Sequence, residues 1–156
     1  GNYIIAEKIL EYAQNLGIKK IFTLAAYITG EFVKEPRVFG AATKKKYVKT
    51  LNKHGINIMN QGMITGMNGI LIGTAKMRGI EGYSLLGETS GYTIDHNSAR
   101  GILESLDKIL KMDINLEKLT NKINESNELM NQVEGMKSKT EGIEYPNRDN
   151  SSQYIN

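Results

Sequence analysis

Two short segments hold most of the side chains able to do chemistry: Tyr27-Ile28-Thr29-Gly30 and Glu88-Thr89-Ser90-Gly91-Tyr92. Hydroxyls beside one carboxylate can bind a sugar or orient a water. They would do so if both segments close neighbouring strands, because ligands of open α/β sheets sit outside the carboxyl ends of strands. The candidate ligand crevice is therefore Tyr27, Thr29, Gly30, Glu88, Thr89, Ser90 and Tyr92. Turn chemistry selects the same residue types, since Gly30 and Gly91 tolerate positive φ and Thr or Ser bonds nearby backbone. Ser90, Asp95 and His96 invite a hydrolase reading. A nucleophile elbow, however, needs Gly-x-Ser-x-Gly, and Gly87-Glu88-Thr89-Ser90-Gly91 has the wrong register. His96 reads as a surface residue near a helix start. His54 sits in the last turn of a helix, where a cation suits the dipole. No catalytic residue is assigned.

Other chemistries fall to composition. The 156 residues contain no cysteine and two histidines. That removes disulfides, thiol catalysis, iron–sulfur clusters and thiolate zinc, fits a reducing compartment, and leaves no histidine-built metal site. No metal or cofactor is assigned. The glycines at 62, 66, 69 and 73 match neither a Walker loop nor Gly-x-Gly-x-x-Gly; Gly69-x-x-x-Gly73 reads as a close approach of a helix to a sheet. No apolar run approaches the roughly 18 residues of a membrane span. The expectation is a cytoplasmic protein with no membrane and no nucleic-acid partner.

The elements that must position these residues follow from periodicity. Helices are expected at Asn2–Leu16, with Ile5, Ile9, Leu10, Ala13 and Leu16 as its stripe, at Lys44–His54 under a Thr43 cap, at Asn68–Arg78, and from an Asp95 or Asn97 cap to Lys111. Short apolar runs at Ile18–Leu24, Val38–Ala42, Ile56–Met59 and Gly82–Gly87 read as strands. Strand and helix alternate, the pattern of a mostly parallel sheet covered by helices: a three-layer α/β/α sandwich. Residues 1–112 make that domain, 113–137 a C-terminal helix and 138–156 a flexible tail. In the helix, Asn115 caps a seam of Leu116, Leu119, Ile123, Met130 and Val133, spaced like a heptad with Ser126 in the gap. That seam is the candidate oligomer or partner interface. The chain also opens directly into a helix with no leading strand, so further strands are expected ahead of Gly1.

Net charge is +3, from 20 Lys/Arg and 17 Asp/Glu. It is unevenly spread: residues 1–78 carry net +8 and residues 79–156 net −5. Such asymmetry attracts an acidic partner or lets two copies meet head to tail. Lys44-Lys45-Lys46 opens a helix against its dipole, so these lysines are not there for helix stability.

Four stretches carry a family resemblance: Leu24-Ala-Ala-Tyr-x-Thr-Gly30; Glu35-Pro-Arg-Val-Phe-Gly-Ala-Ala-Thr43; Gly66-Met-Asn-Gly-Ile-Leu-Ile-Gly73; and Lys76-Met-Arg-Gly-Ile-Glu-Gly-Tyr-Ser-Leu-Leu-Gly-Glu-Thr-Ser-Gly-Tyr92. In order and spacing they resemble the proteasome assembly chaperone 2 family, its archaeal members in particular, over about residues 1–112. The resemblance implies an α/β/α sandwich similar to nucleoside phosphorylases, with further strand–helix units upstream of Gly1. It implies a homo-oligomeric, non-enzymatic chaperone that binds proteasome α-subunits. Some members end in a hydrophobic–Tyr–any-residue tripeptide; here Tyr154 stands one place earlier and follows the polar Gln153. Two other readings stay open: a small-ligand protein or enzyme using the crevice for a nucleoside- or sugar-phosphate-like ligand, and an oligomeric scaffold. The residues themselves offer no nucleophile–base pair, which favours a non-enzymatic role.

Overall fold

The computed structural model describes residues 1–60 and 62–141. Its elements are α1 (Asn2–Asn15), β1 (Lys20–Ile28), β2 (Val38–Ala42), α2 (Lys45–Lys53), β3 (Asn57–Ile58), α3 (Gly66–Met77), β4 (Glu81–Thr89), α4 (His96–Leu110) and α5 (Glu117–Glu141). Residues 1–120 form one unit; the helix beyond Thr120 belongs to a second.

The sheet has the order β1-β4-β2-β3. β1 runs parallel to β4 and β3 parallel to β2, while β2 runs antiparallel to β4. The fold is the expected α/β/α sandwich with a mostly parallel sheet; the topological departure is that β2, and β3 alongside it, run opposite to β1 and β4. Alternation along β4 divides the core. Tyr83 and Leu85 face a cluster with Leu51, Ile56 and Ile102, on the side of α2 and α4. Leu10, Ala75 and Ile80 form a second cluster with Ile21 and Leu71, on the side of α1 and α3. β4 is buried along nearly its whole length. At Gly87 a Cβ would lie 2.2 Å from Ser98 Oγ and 3.0 Å from the Ser98 carbonyl oxygen. Only glycine lets α4 sit this close.

Four local expectations are corrected. In α1 the buried residues are Ala6, Leu10 and Ala13, while Ile5, Ile9 and Leu16 are exposed. The helix is apolar around most of its circumference, so periodicity could not choose the face; the small alanines let α1 approach α3. Thr43 does not cap α2. Its hydroxyl donates to the Ile80 carbonyl and accepts from the Gly82 amide, both at 3.1 Å, and α2 starts without a side-chain cap. Gly69 is required not by the sheet but by the Ile64 carbonyl oxygen, 1.8 Å from where its Cβ would be, and Gly73 faces open space. β1 and β4 each run further than expected, to Ile28 and Thr89, so Tyr27, Glu88 and Thr89 lie within strands rather than loops. Asp95, rather than Asn97, caps α4 by accepting from the Ser98 amide at 2.9 Å.

The Thr43 bridge ties β2's exit to β4's start in a buried place. Thr43→Val keeps the shape but strands the Gly82 amide, and should lower unfolding free energy by about 1–3 kcal/mol in urea titrations. An unchanged midpoint would show the bridge to be dispensable.

Candidate functional site

β1 and β4 are neighbours and parallel, with Tyr27 opposite Glu88 and Ile28 opposite Thr89. All seven crevice residues therefore gather at one end of the sheet, but strand alternation sends them to different faces. Tyr27 and Glu88 share the α1/α3 face, whereas Thr89 shares the α4 face with Ile28. The hydroxyls are used locally. The Thr29 amide and hydroxyl both donate to the Thr89 carbonyl, at 2.9 and 3.3 Å, and the Glu31 amide donates to Thr29 Oγ1 at 3.3 Å. Thr89 Oγ1 accepts from the Gly91 amide and Ser90 Oγ from the Tyr92 amide. Gly30 adopts φ +79°, and the Tyr92 ring stands 6.2 Å from Phe32, so the two loops are knitted side by side. Ser90 is buried with its oxygen engaged, and Asp95 is engaged as a cap, so Ser90, Asp95 and His96 form no triad.

The strongest electrostatic feature at this end is one that sequence reasoning missed. Glu88 is 3% exposed. Its Oε2 accepts from the Arg37 backbone amide at 3.0 Å and from Arg37 Nε at 2.9 Å, and its Oε1 accepts from Arg37 Nη2 at 2.6 Å. The Arg37 guanidinium lies 5.1 Å above the Phe39 ring, which in turn sits 4.6 Å from Tyr27. The Arg37 hydrogen bond, opposed by burial, holds the Glu88 carboxyl below the ordinary 4.5. A carboxylate fixed by three donors and held ionised is an anchor and a poor proton acceptor. A buried Glu needs a partner, and that was the available signal. Arg37 could be named only by knowing that β2 runs back along β4.

On the other face, a groove of about 520 Å³ opens between β1 and α4, lined by Leu24, Ile28, Thr89, Asp95, Ile102 and Leu103 among others. At the opposite end of the sheet, Glu81 Oε1 accepts from Tyr83 Oη at 2.7 Å and pairs with Lys20 Nζ at 2.9 Å. Burial and the Glu81 bond push the Tyr83 hydroxyl up to about 12. Among the described residues no three or more His, Asp or Glu gather as a metal site. No described helix is long and apolar enough to cross a membrane.

Of the expected interface positions, Leu116 and Leu119 are half-buried, Ile123 is buried, and Met130 and Val133 are exposed. Asn115 Oδ1 accepts from the Glu117 amide at 2.8 Å, as expected for the cap. α5 continues to Glu141, beyond the boundary expected at 137. Tyr154 lies outside the described residues.

The PAC2 family profile matches residues 1–134. The uncharacterized protein MJ1210 of Methanocaldococcus jannaschii is 37% identical over 120 residues, 76% of this chain and 46% of its own length. Among solved structures, Pyrococcus furiosus PbaB, described as an archaeal proteasome activator, superposes with TM-score 0.76 at 32% identity, over 86% of this chain and 58% of that one. P. furiosus PbaA, described as an archaeal homolog of proteasome-assembly chaperone, gives 0.79 at 28% identity over 90% and 59%. The chain spans about half the length of the curated relatives it matches.

The Glu88–Arg37 pair sets a pH dependence. Because the folded carboxyl titrates below its ordinary value, the pair stabilises the fold above pH 4.5 and is lost as pH falls through the folded value. In Arg37→Gln the buried Glu88 should titrate higher, and acid destabilisation should begin at a higher pH, read by carboxyl-carbon NMR and by melts across pH. Superimposable acid limbs for parent and variant would refute the pairing.

Proposed function

This chain belongs to the PAC2 family, and from that premise we propose that it is a non-enzymatic assembly chaperone of the cytoplasm that binds proteasome α-subunits. The observation that carries the reading is the likeness to PbaB and PbaA over 86–90% of the chain. The site's chemistry supports it: Glu88 is committed to Arg37, and the hydroxyls of Thr29, Thr89 and Ser90 are committed to loop backbone. Purified archaeal proteasome α-subunits mixed with the chain should co-elute with it as a defined complex on size exclusion and in native mass spectrometry. Separate elution at micromolar concentrations of both would end the proposal.

The proposed chaperone works as a homo-oligomer through the apolar positions of α5. Met130 and Val133 are exposed within the single chain, and a helix surface this sparse in apolar residues gains its stability from a covering surface. Met130→Asp with Val133→Asp should lower the mass seen by light scattering and leave the melting of the α/β unit in place. Unchanged mass would remove α5 from the interface.

A second reading rests on the groove between β1 and α4, whose volume suits a small ligand with an apolar body. Nucleosides and sugar phosphates should then raise Tm; no shift at millimolar concentration would discard it.

A further inference from the structure

Between Glu35 and Glu81 the sequence holds eight Lys or Arg and no Asp or Glu. Arg37 and Arg78 are spent on Glu88 and Glu7. Five of the other six are Lys44, Lys45, Lys46, Lys49 and Lys53, all exposed at the start of α2 or along it. Lys46 lies 4.9 Å over the Tyr47 ring. Among the described residues, the side chains of Lys44, Lys45, Lys49 and Lys53 make no ion pair or hydrogen bond. The carboxylate that Lys46 acts on through space, Glu81, is already bonded to Lys20 and Tyr83.

This arrangement costs the free molecule stability twice. Lys45 and Lys46 occupy a first helical turn that contains no acidic residue, against the dipole. Lys45, Lys49 and Lys53 repeat at i, i+4, the spacing at which like charges repel. Lys53 in the last turn suits the dipole, but among the described residues no acidic side chain pairs with Lys45 or Lys49. The inner face of α2 is held by Leu51, fully buried, with Tyr47 and Val48 half-buried, so the outer face presents Lys45, Lys49 and Lys53 in a row about 12 Å long.

We propose that this lysine face is a docking surface for an acidic segment of a partner polypeptide. Charge complementarity selects the occupant. A single-stranded nucleic acid would need aromatic faces for its bases, and Tyr47 is turned onto Tyr83, 5.9 Å between ring centroids. An anionic membrane would need exposed apolar side chains beside the lysines, and α2 exposes none. Lysines carry compact, mobile charges that suit a flexible run of Asp and Glu better than a planar bidentate target. The proposal uses none of the α5 positions, and its test does not involve a proteasome subunit.

Fluorescence anisotropy with a labelled peptide of alternating Glu and Ser tests it on the 156-residue chain. The peptide should bind, and weaken steeply with added salt. Lys45→Glu/Lys49→Glu/Lys53→Glu should cut affinity about tenfold or more and melt no lower than the parent. Lys118→Glu/Lys122→Glu should bind as the parent does. If the charge-reversed variant melts early, Lys45→Gln/Lys49→Gln/Lys53→Gln decides, with the same loss expected. Equal binding by parent and α2 variants overturns the proposal. So does tighter binding of an oligothymidylate or of phosphatidylserine vesicles, lost in the same variants.

Discussion

A strand covered on both faces cannot leave a polar group unpaired, and that constraint on β4 organises the α/β unit. From Gly82 to Thr89 every residue is buried, yet the run contains Tyr83, Ser84, Glu88 and Thr89. Ser84 and Glu88 are answered from neighbouring segments, Tyr83 and Thr89 from β4 and its own exit turn. Ser84 accepts from Thr23 of β1 at 3.0 Å, Tyr83 reaches Glu81, Glu88 takes Arg37, and Thr89 bonds its own turn. The two glycines of the run give up side chains so that Thr43 and Ser98 can come close. The strand's sequence is thus a record of its neighbours' positions.

Geometry at the carboxyl end follows from the reversal of β2. β1 and β2 lie on opposite sides of β4 and run in opposite directions. The segment from Thr29 to Arg37 must therefore cross the end of β4, spanning two strand spacings, roughly 10 Å. That crossing delivers Arg37 to Glu88, and its first residue, Thr29, to the Thr89 carbonyl. The loops could be seen converging from the sequence because glycine and hydroxyl residues mark strand exits. The direction of Val38–Ala42 could not, since a run of five apolar residues reads the same either way. With the direction hidden, the ion pair was hidden too.

Elements bounded by glycine were legible: α1 ends before Gly17, α2 before Gly55 and α3 before Gly79. What was not legible is which of two apolar faces a helix buries. In α1 the larger isoleucines argued for one stripe, but the buried residues are Ala6, Leu10 and Ala13, because backbone proximity outweighs side-chain bulk where two helices lie close. Thr43 misled in the same way. Its hydroxyl suits a cap, but a buried amide across the sheet had the stronger claim on it.

The crossing segment has a further consequence, for divergence. Both of its ends are clamped, at Thr29 and at Arg37, while Phe32, Val33, Lys34 and Glu35 between them are exposed. Such a segment can gain, lose or exchange residues in its middle without slipping the register of either flanking strand. Loop-closure entropy rises by only about 0.6 kcal/mol for each doubling of length. Val33 and Lys34 are accordingly positions where related chains can drift in sequence while keeping one scaffold.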